Sequence, residues 1–118
     1  MELEGLWADD ITVVTLSEFG RTIVSNGRGT DHAWAGNQLI YGGALNGKRI
    51  HGLYPSKLGE ESDVALGRGT LVPGLPWEAM WGPIAEWMGV ADARDMDLVL
   101  PNRANFGSER LTKADVYK

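Results

Sequence analysis

The residues best suited to chemistry cluster in the first third of the chain. Ser17-Glu18-Phe19-Gly20-Arg21-Thr22 follows directly on the apolar run Ile11-Thr12-Val13-Val14-Thr15-Leu16. A carboxylate such as Glu18 offers oxygen to a hard or borderline divalent cation. The planar guanidinium of Arg21 can grip an oxyanion, such as phosphate or sulfate, with two parallel N–H donors. The plainer alternative is that Glu18 and Arg21 pair with each other or cap a neighbouring helix. Thr30-Asp31-His32 is a second cluster, placed just after the polar loop Ser25-Asn26-Gly27-Arg28-Gly29-Thr30. Asp31 and His32 could supply one oxygen and one nitrogen ligand to Zn²⁺ or Mn²⁺. Asp31 could instead orient the imidazole of His32 from behind, or close an Asx-turn beside a surface histidine. With 2 histidines and no cysteine, no self-contained metal site of the usual composition assembles from the sequence.

Other polar positions carry weaker signals. His51 reads as a half-buried histidine of a strand. Gly67-Arg68-Gly69 lacks the lysine and the spacing of a phosphate-cradling loop. Glu60, Glu61 and Asp63 read as solvated loop charges, and Trp77 and Trp81 as core or interface. Ser17 has no neighbouring base that would suggest a triad.

Composition narrows the classes further. Eleven Lys and Arg against 16 Asp and Glu leave a net charge of −5 over 118 residues, the length of one domain at most. An acidic balance argues against binding to nucleic acid or an anionic membrane. The absence of cysteine excludes a disulfide framework, a thiolate metal site and a cysteine nucleophile. No apolar run approaches the roughly 20 residues of a membrane span, and Met1 is not followed by a signal peptide. The 16 glycines imply many special backbone positions, and the 5 tryptophans a few large anchors.

These residues must be positioned by an α/β framework. The near-continuous apolarity of Ile11–Leu16 predicts a strand covered on both faces, as in a parallel sheet. Ligands in such sheets sit at the carboxyl ends of strands, where Glu18 and Arg21 fall. Leu3, Leu6 and Trp7 share helical spacing and read as the end of a helix. Residues 17–36 show little periodicity and contain Gly20, Gly27, Gly29 and Gly36. Gln38–Tyr41 predicts a second short strand. Asn46-Gly47 signals a hairpin between strands near 39–45 and 48–54. Residues 55–70 read as a charged loop. Pro76 opens a helix whose stripe of Trp77, Trp81, Ile84 and Met88 runs across Pro83, where a kink is expected, to a stop at Gly89. Leu98-Val99-Leu100 is a last apolar run, and the polar residues 107–118 predict a frayed tail.

Taken in order, the motifs carry more than they do singly. Gly5-Leu6-Trp7, Ser17–Thr22, Gly29–His32 and Gly42–Gly47 are followed by Gly67–Pro73, Glu86–Val90 and Leu100–Phe106. This series resembles the C-terminal part of a bacterial sulfatase-like family, domain of unknown function 1501, of the alkaline-phosphatase-like superfamily. The resemblance covers about residues 5–106, and residues 107–118 then form a polar tail.

What the resemblance implies is a partial three-layer α/β/α fold with a short parallel-sheet strand, a β-hairpin and one or two helices. Members of the superfamily hydrolyse sulfate or phosphate esters, or move phosphate groups, with one or two divalent metals (Zn²⁺, Mn²⁺, Ca²⁺ or Mg²⁺ as candidates). By position, Glu18 and His32, with Asp31 third, would be the carried-over metal ligands, and Arg21 would contact the anionic ester as a catalytic residue. Glu18 stands where superfamily enzymes often carry an Asp-His pair, which departs from a full binuclear site. The family's nucleophile and early ligands lie in an N-terminal portion that this sequence does not contain. The expectation is therefore a truncated C-terminal segment, inactive alone, whose partner is the missing half or a second copy. The alternative is a non-catalytic interaction or oligomerisation module derived from the same fold. Members of the family are often exported to the periplasm by the twin-arginine route, and no such signal is present here.

Overall fold

The computed structural model describes residues 9–118, so the helix end read at Leu3, Leu6 and Trp7 lies outside the described residues. The elements are β1 (Thr12–Val14), β2 (Gly20–Ser25), β3 (Thr30–Ala33), β4 (Ile40–Gly42), α1 (Trp77–Trp87), α2 (Ala93–Val99), a 3₁₀ segment (Arg103–Glu109) and α3 (Lys113–Val116). They fall into two compact units. One draws on residues up to Val13, Tyr41–Ile50 and Leu75–Lys118, the other on Val14–Ile40 and His51–Gly74.

The second unit is built on a hairpin. Thr22, Ile23 and Val24 are β-branched and favour the extended backbone of β2. β2 pairs antiparallel with β3 in the register Gly20↔Ala33, Arg21↔His32 and Ser25↔Thr30, with an irregularity between Arg21 and Ser25. The turn works because Gly27 (φ 86°) and Gly29 (φ 148°) take left-handed backbone and Asn26 Oδ1 accepts the Arg28 N–H at 2.9 Å. Alternation along the strands separates two faces. The inner face carries Thr22, 5% exposed, whose hydroxyl donates to the Val24 carbonyl and accepts the Asp31 N–H, both at 3.0 Å. Residues 65–71 lie against this hairpin, with Ile23 N–H donating to the Gly69 carbonyl and Ala35 N–H to the Leu71 carbonyl.

The first unit owes its stability to α1. Pro76 is its N-cap, Pro83 lies inside the one continuous helix, and Gly89 (φ 101°) ends it. Ala79, Pro83, Ile84 and Ala85 face inward. Ala85 joins Met96 of α2 and Leu100 in a small core, with Trp81 and Val90 packed on it. Asp92 caps α2 by accepting the Arg94 N–H at 2.7 Å, and a Thr112/Asp115 capping box starts α3. Tyr117, 3% exposed, stacks on Trp87 with centroids 5.3 Å apart and planes at 5°.

Four expectations are corrected. The chain is mixed α/β, with two small two-stranded sheets in place of a parallel one. In the sheet of β1 and β4, Thr15 N–H donates to the Leu39 carbonyl, while the Ile11 carbonyl approaches Gly42. The chains therefore run antiparallel. Val13 and Leu16 are 37% and 59% exposed, so this strand is not covered on both faces. The hairpin belongs to residues 20–33, which lacked apolar periodicity because the outer face is polar and aromatic. At Asn46-Gly47 no hairpin forms, because Asn46 N–H donates to the Val116 carbonyl and the Ala44 carbonyl accepts the Lys118 N–H. The same contacts order the tail: Val116 and Tyr117 are buried, where polarity predicted fraying. The apolar run Leu98-Val99-Leu100 forms the end of α2 and its C-cap.

Among the described residues, no helix is long and apolar enough to cross a membrane.

Candidate functional site

The candidate site occupies the outer face of the β2–β3 hairpin. Cross-strand pairing sets Arg21 directly opposite His32, where side chains on one face of an antiparallel ladder lie about 5 Å apart at Cβ. Phe19, two residues before Arg21, reaches the same face. Its ring stacks on the His32 imidazole with centroids 3.7 Å apart and planes at 19°. The Arg21 guanidinium carbon lies 5.1 Å from the Phe19 centroid, a cation–π contact. Arg21 Nη1 also donates to the Thr30 carbonyl at 2.7 Å. One N–H and the ring face thus hold the guanidinium, and its other donors are open to a ligand.

Asp31 goes elsewhere. Adjacent strand residues leave on opposite faces, so Asp31 points away from His32. Its Oδ2 lies 2.8 Å from Arg68 Nη2, and its Oδ1 accepts from Asn26 Nδ2 at 2.7 Å. Arg68 itself has left-handed backbone (φ 52°) between Gly67 and Gly69. The pair is half exposed, so its worth is at most about 1 kcal/mol. Glu18 is exposed in the loop before β2 and has no partner among the described residues. Ser17 Oγ donates to the Phe19 carbonyl at 3.0 Å, closing that loop locally. The proposed Glu18–Arg21 pair does not form.

Glu18, Asp31 and His32 do not converge, and no group of three or more His, Asp or Glu able to hold a metal ion occurs among the described residues. The side chains as placed therefore do not fit a closed metal site, and no chemical step is derived through one. Hollows of about 420 and 290 Å³ beside α1 and α2, lined in part by Glu86, Met96 and Arg103, contain none of Glu18, Arg21, Asp31 and His32.

The structure unites Arg21 with His32 and separates both from Asp31 and Glu18. It also adds Phe19, which sequence reasoning overlooked, and leaves Trp34 exposed nearby in the chain. Trp34 follows β3 directly and is 70% exposed. The available signal was a period of two, Phe19, Arg21 and Ile23 in and just before β2 and His32 and Trp34 in and just after β3. It was hidden because the exposed face, not the buried one, carries the large side chains.

The family profile described as "Protein of unknown function (DUF1501)" matches residues 1–65, more than half of the 118 in the chain. The chain belongs to this family. The matched part of the DUF1501 chain holds Glu18, Arg21, Asp31, His32 and the Gly42–Gly47 motif, whereas the motifs from Gly67 to Phe106 lie beyond it. No curated protein and no solved structure matches the chain.

Proposed function

We propose that this DUF1501 chain carries the anion-recognising hairpin of a metal-dependent sulfate or phosphate ester hydrolase. In this reading it is the C-terminal part of a sulfatase-like domain of alkaline-phosphatase-like, three-layer architecture, and it does not turn over esters alone. The observation that supports it is the Arg21 guanidinium, oriented by Phe19 and Thr30 beside His32 and without a carboxylate partner among the described residues. A preorganised guanidinium with open donors suits an oxyanion better than a freely rotating one, because less side-chain freedom is lost on binding. Arg21 would contact the ester, and His32 would stand next to the same oxyanion.

Glu18, Asp31 and His32 do not converge on one ion among the described residues, so each is proposed only as a single donor to a divalent ion (Zn²⁺, Mn²⁺, Ca²⁺ or Mg²⁺) whose other ligands come from elsewhere. Inorganic sulfate and phosphate titrated into the chain should shift the resonances of Arg21 and His32, and Arg21→Ala should abolish the shifts. Hydrolysis of nitrophenyl sulfate or phosphate by this chain alone would overturn the claim of inactivity.

A second reading, an interaction or oligomerisation module, is favoured by one specific observation. Large apolar side chains stand exposed, Ile50 at 89% in the first unit, Leu53 at 94% and Leu39 at 62% in the second. Surfaces of this kind mark contact sites when they are contiguous. Light scattering separates the readings, since a clean monomer over a wide concentration range counts against the second.

A further inference from the structure

We infer that Asn46-Gly47 is a self-modification site, where asparagine converts to aspartate and isoaspartate without an enzyme, and that the fold withholds the same reaction from Asn26-Gly27. The inference is independent of the anion-site reading. Both Asn-Gly steps stand in the sequence, and their chemistry is the same. The glycine main-chain nitrogen attacks the asparagine side-chain carbonyl carbon, Cγ, and a cyclic imide closes. The Cγ–Nδ2 bond breaks, and the amide leaves as ammonia with the proton given up by the glycine N–H. Water then opens the imide, at Cγ to give aspartate or at the main-chain carbonyl to give isoaspartate. Glycine favours the first step because no side chain crowds its nitrogen and its backbone bends freely.

Which site reacts depends on what holds the two reacting groups. At Asn26 both are engaged. Gly27 N–H donates to Ser25 Oγ at 3.1 Å, Asn26 Oδ1 accepts the Arg28 N–H at 2.9 Å, and Asn26 Nδ2 donates to Asp31 Oδ1 at 2.7 Å. Imide closure there must give up these bonds inside the tight turn between β2 and β3. At Asn46 the main-chain N–H donates to the Val116 carbonyl at 2.8 Å, which anchors the residue from behind. Its side-chain amide and the Gly47 N–H have no hydrogen-bond partner among the described residues. Gly47 is exposed, and a Cβ built on it would meet nothing within 4 Å, so water reaches the imide. The electrophile is held and the nucleophile is open.

Trypsin separates the two sites, cutting after Arg21, Arg28 and Lys48 to give one peptide of residues 22–28 and another of residues 29–48. The full folded chain is incubated in mildly alkaline buffer at physiological temperature. Replacement of amide by acid is followed in each peptide by mass spectrometry, with fragmentation to separate Asn46 from Asn37. Asn46 should convert at least about tenfold faster than Asn26, the factor that one hydrogen bond of ordinary net strength supplies. Ser25→Ala, which frees the Gly27 N–H, should speed conversion of Asn26. Gly47→Ala, which the open space around Gly47 accommodates, should slow conversion of Asn46. In guanidinium chloride the contrast should vanish, because only the fold protects Asn26. Conversion of Asn26 as fast as Asn46 in the folded chain, or of neither, overturns the inference, as does a rate at Asn46 untouched by Gly47→Ala. A contrast that persists in denaturant, or an Asn26 rate unmoved by Ser25→Ala, overturns protection by the hydrogen bonds of the turn.

Discussion

Arg21 is held by two weak contacts rather than by an ion pair, and its role is therefore open to a clean test. The side chain is exposed and its removal leaves no buried group unsatisfied, so Arg21→Ala should change stability by no more than about 0.5 kcal/mol while abolishing anion binding. Chemical denaturation and a sulfate titration on the same sample check both halves. The metal donors behave differently because they are spread over separate faces. Zn²⁺ or Mn²⁺ uptake by the chain is expected to be weak, and a Glu18→Ala/His32→Ala double variant should lower it further. Equal uptake by the variant, measured by elemental analysis, would remove these residues from the assignment. Gly20 carries a structural demand of its own. Gly20→Ala would place a methyl group on the Ala35 carbonyl oxygen, a backbone atom with little room to yield. A loss of roughly 1–3 kcal/mol is expected, as for other overpacked positions.

Among the elements, α1 was the most legible and β2–β3 the least. The stripe at Trp77, Trp81, Ile84 and Met88, with Pro76 before it and Gly89 after it, marked a helix that forms as Trp77–Trp87. Periodicity marks which side of a helix is apolar, but burial depends on what arrives to cover it. Ile84 is 5% exposed, whereas Met88 is 73% exposed on the same stripe. Ile84→Ala should therefore cost roughly 2–4 kcal/mol, and Met88→Ala should be close to neutral, as read from urea midpoints. The hairpin escaped notice for an opposite reason. Its inner face has the small residues Gly20, Thr22 and Ala33, and its outer face has Phe19, Arg21 and His32, so hydrophobicity does not track burial. The turn residues Asn26 and Gly27 were visible as a loop, yet a loop signal does not say that the flanking chains will pair.

On the scale of the whole molecule, the carboxyl terminus does more than its composition suggests. Tyr117 is buried against Trp87, and its hydroxyl lies 3.1 Å from Thr12 Oγ1. Burial raises its pKa above the ordinary 10.0, opposed by the hydrogen bond to Thr12. A raised value means that the folded state holds the phenolic proton more tightly than the unfolded chain does. The resulting stabilisation is complete below pH 10 and is lost as pH rises from there through the folded-state value. The urea midpoint should fall above pH 10. Tyr117→Phe should flatten that fall at a cost of about 1 kcal/mol near neutrality for the lost hydrogen bond. An unchanged alkaline limb in the variant would place the titrating group elsewhere.

The amino-acid sequence by itself determined the mixed α/β class, the helix after Pro76 and the short strand ending near Tyr41, and it nominated Glu18, Arg21, Asp31 and His32 as candidate site residues. Each of these depends on local spacing or on an ordered run of motifs, which a linear reading can see. Only the tertiary structure decided which of those site residues meet. Arg21 and His32 are 11 positions apart and become neighbours through the hairpin register, while Asp31, adjacent to His32, is turned away by the alternation of the strand and held by Arg68. The partner of residues 44–46 was likewise decided at a distance. Asn46-Gly47 has the chemistry of a turn, but the backbone groups around it are satisfied by residues 116–118. A buried backbone donor must find an acceptor wherever the fold supplies one, and no local pattern specifies which segment that will be.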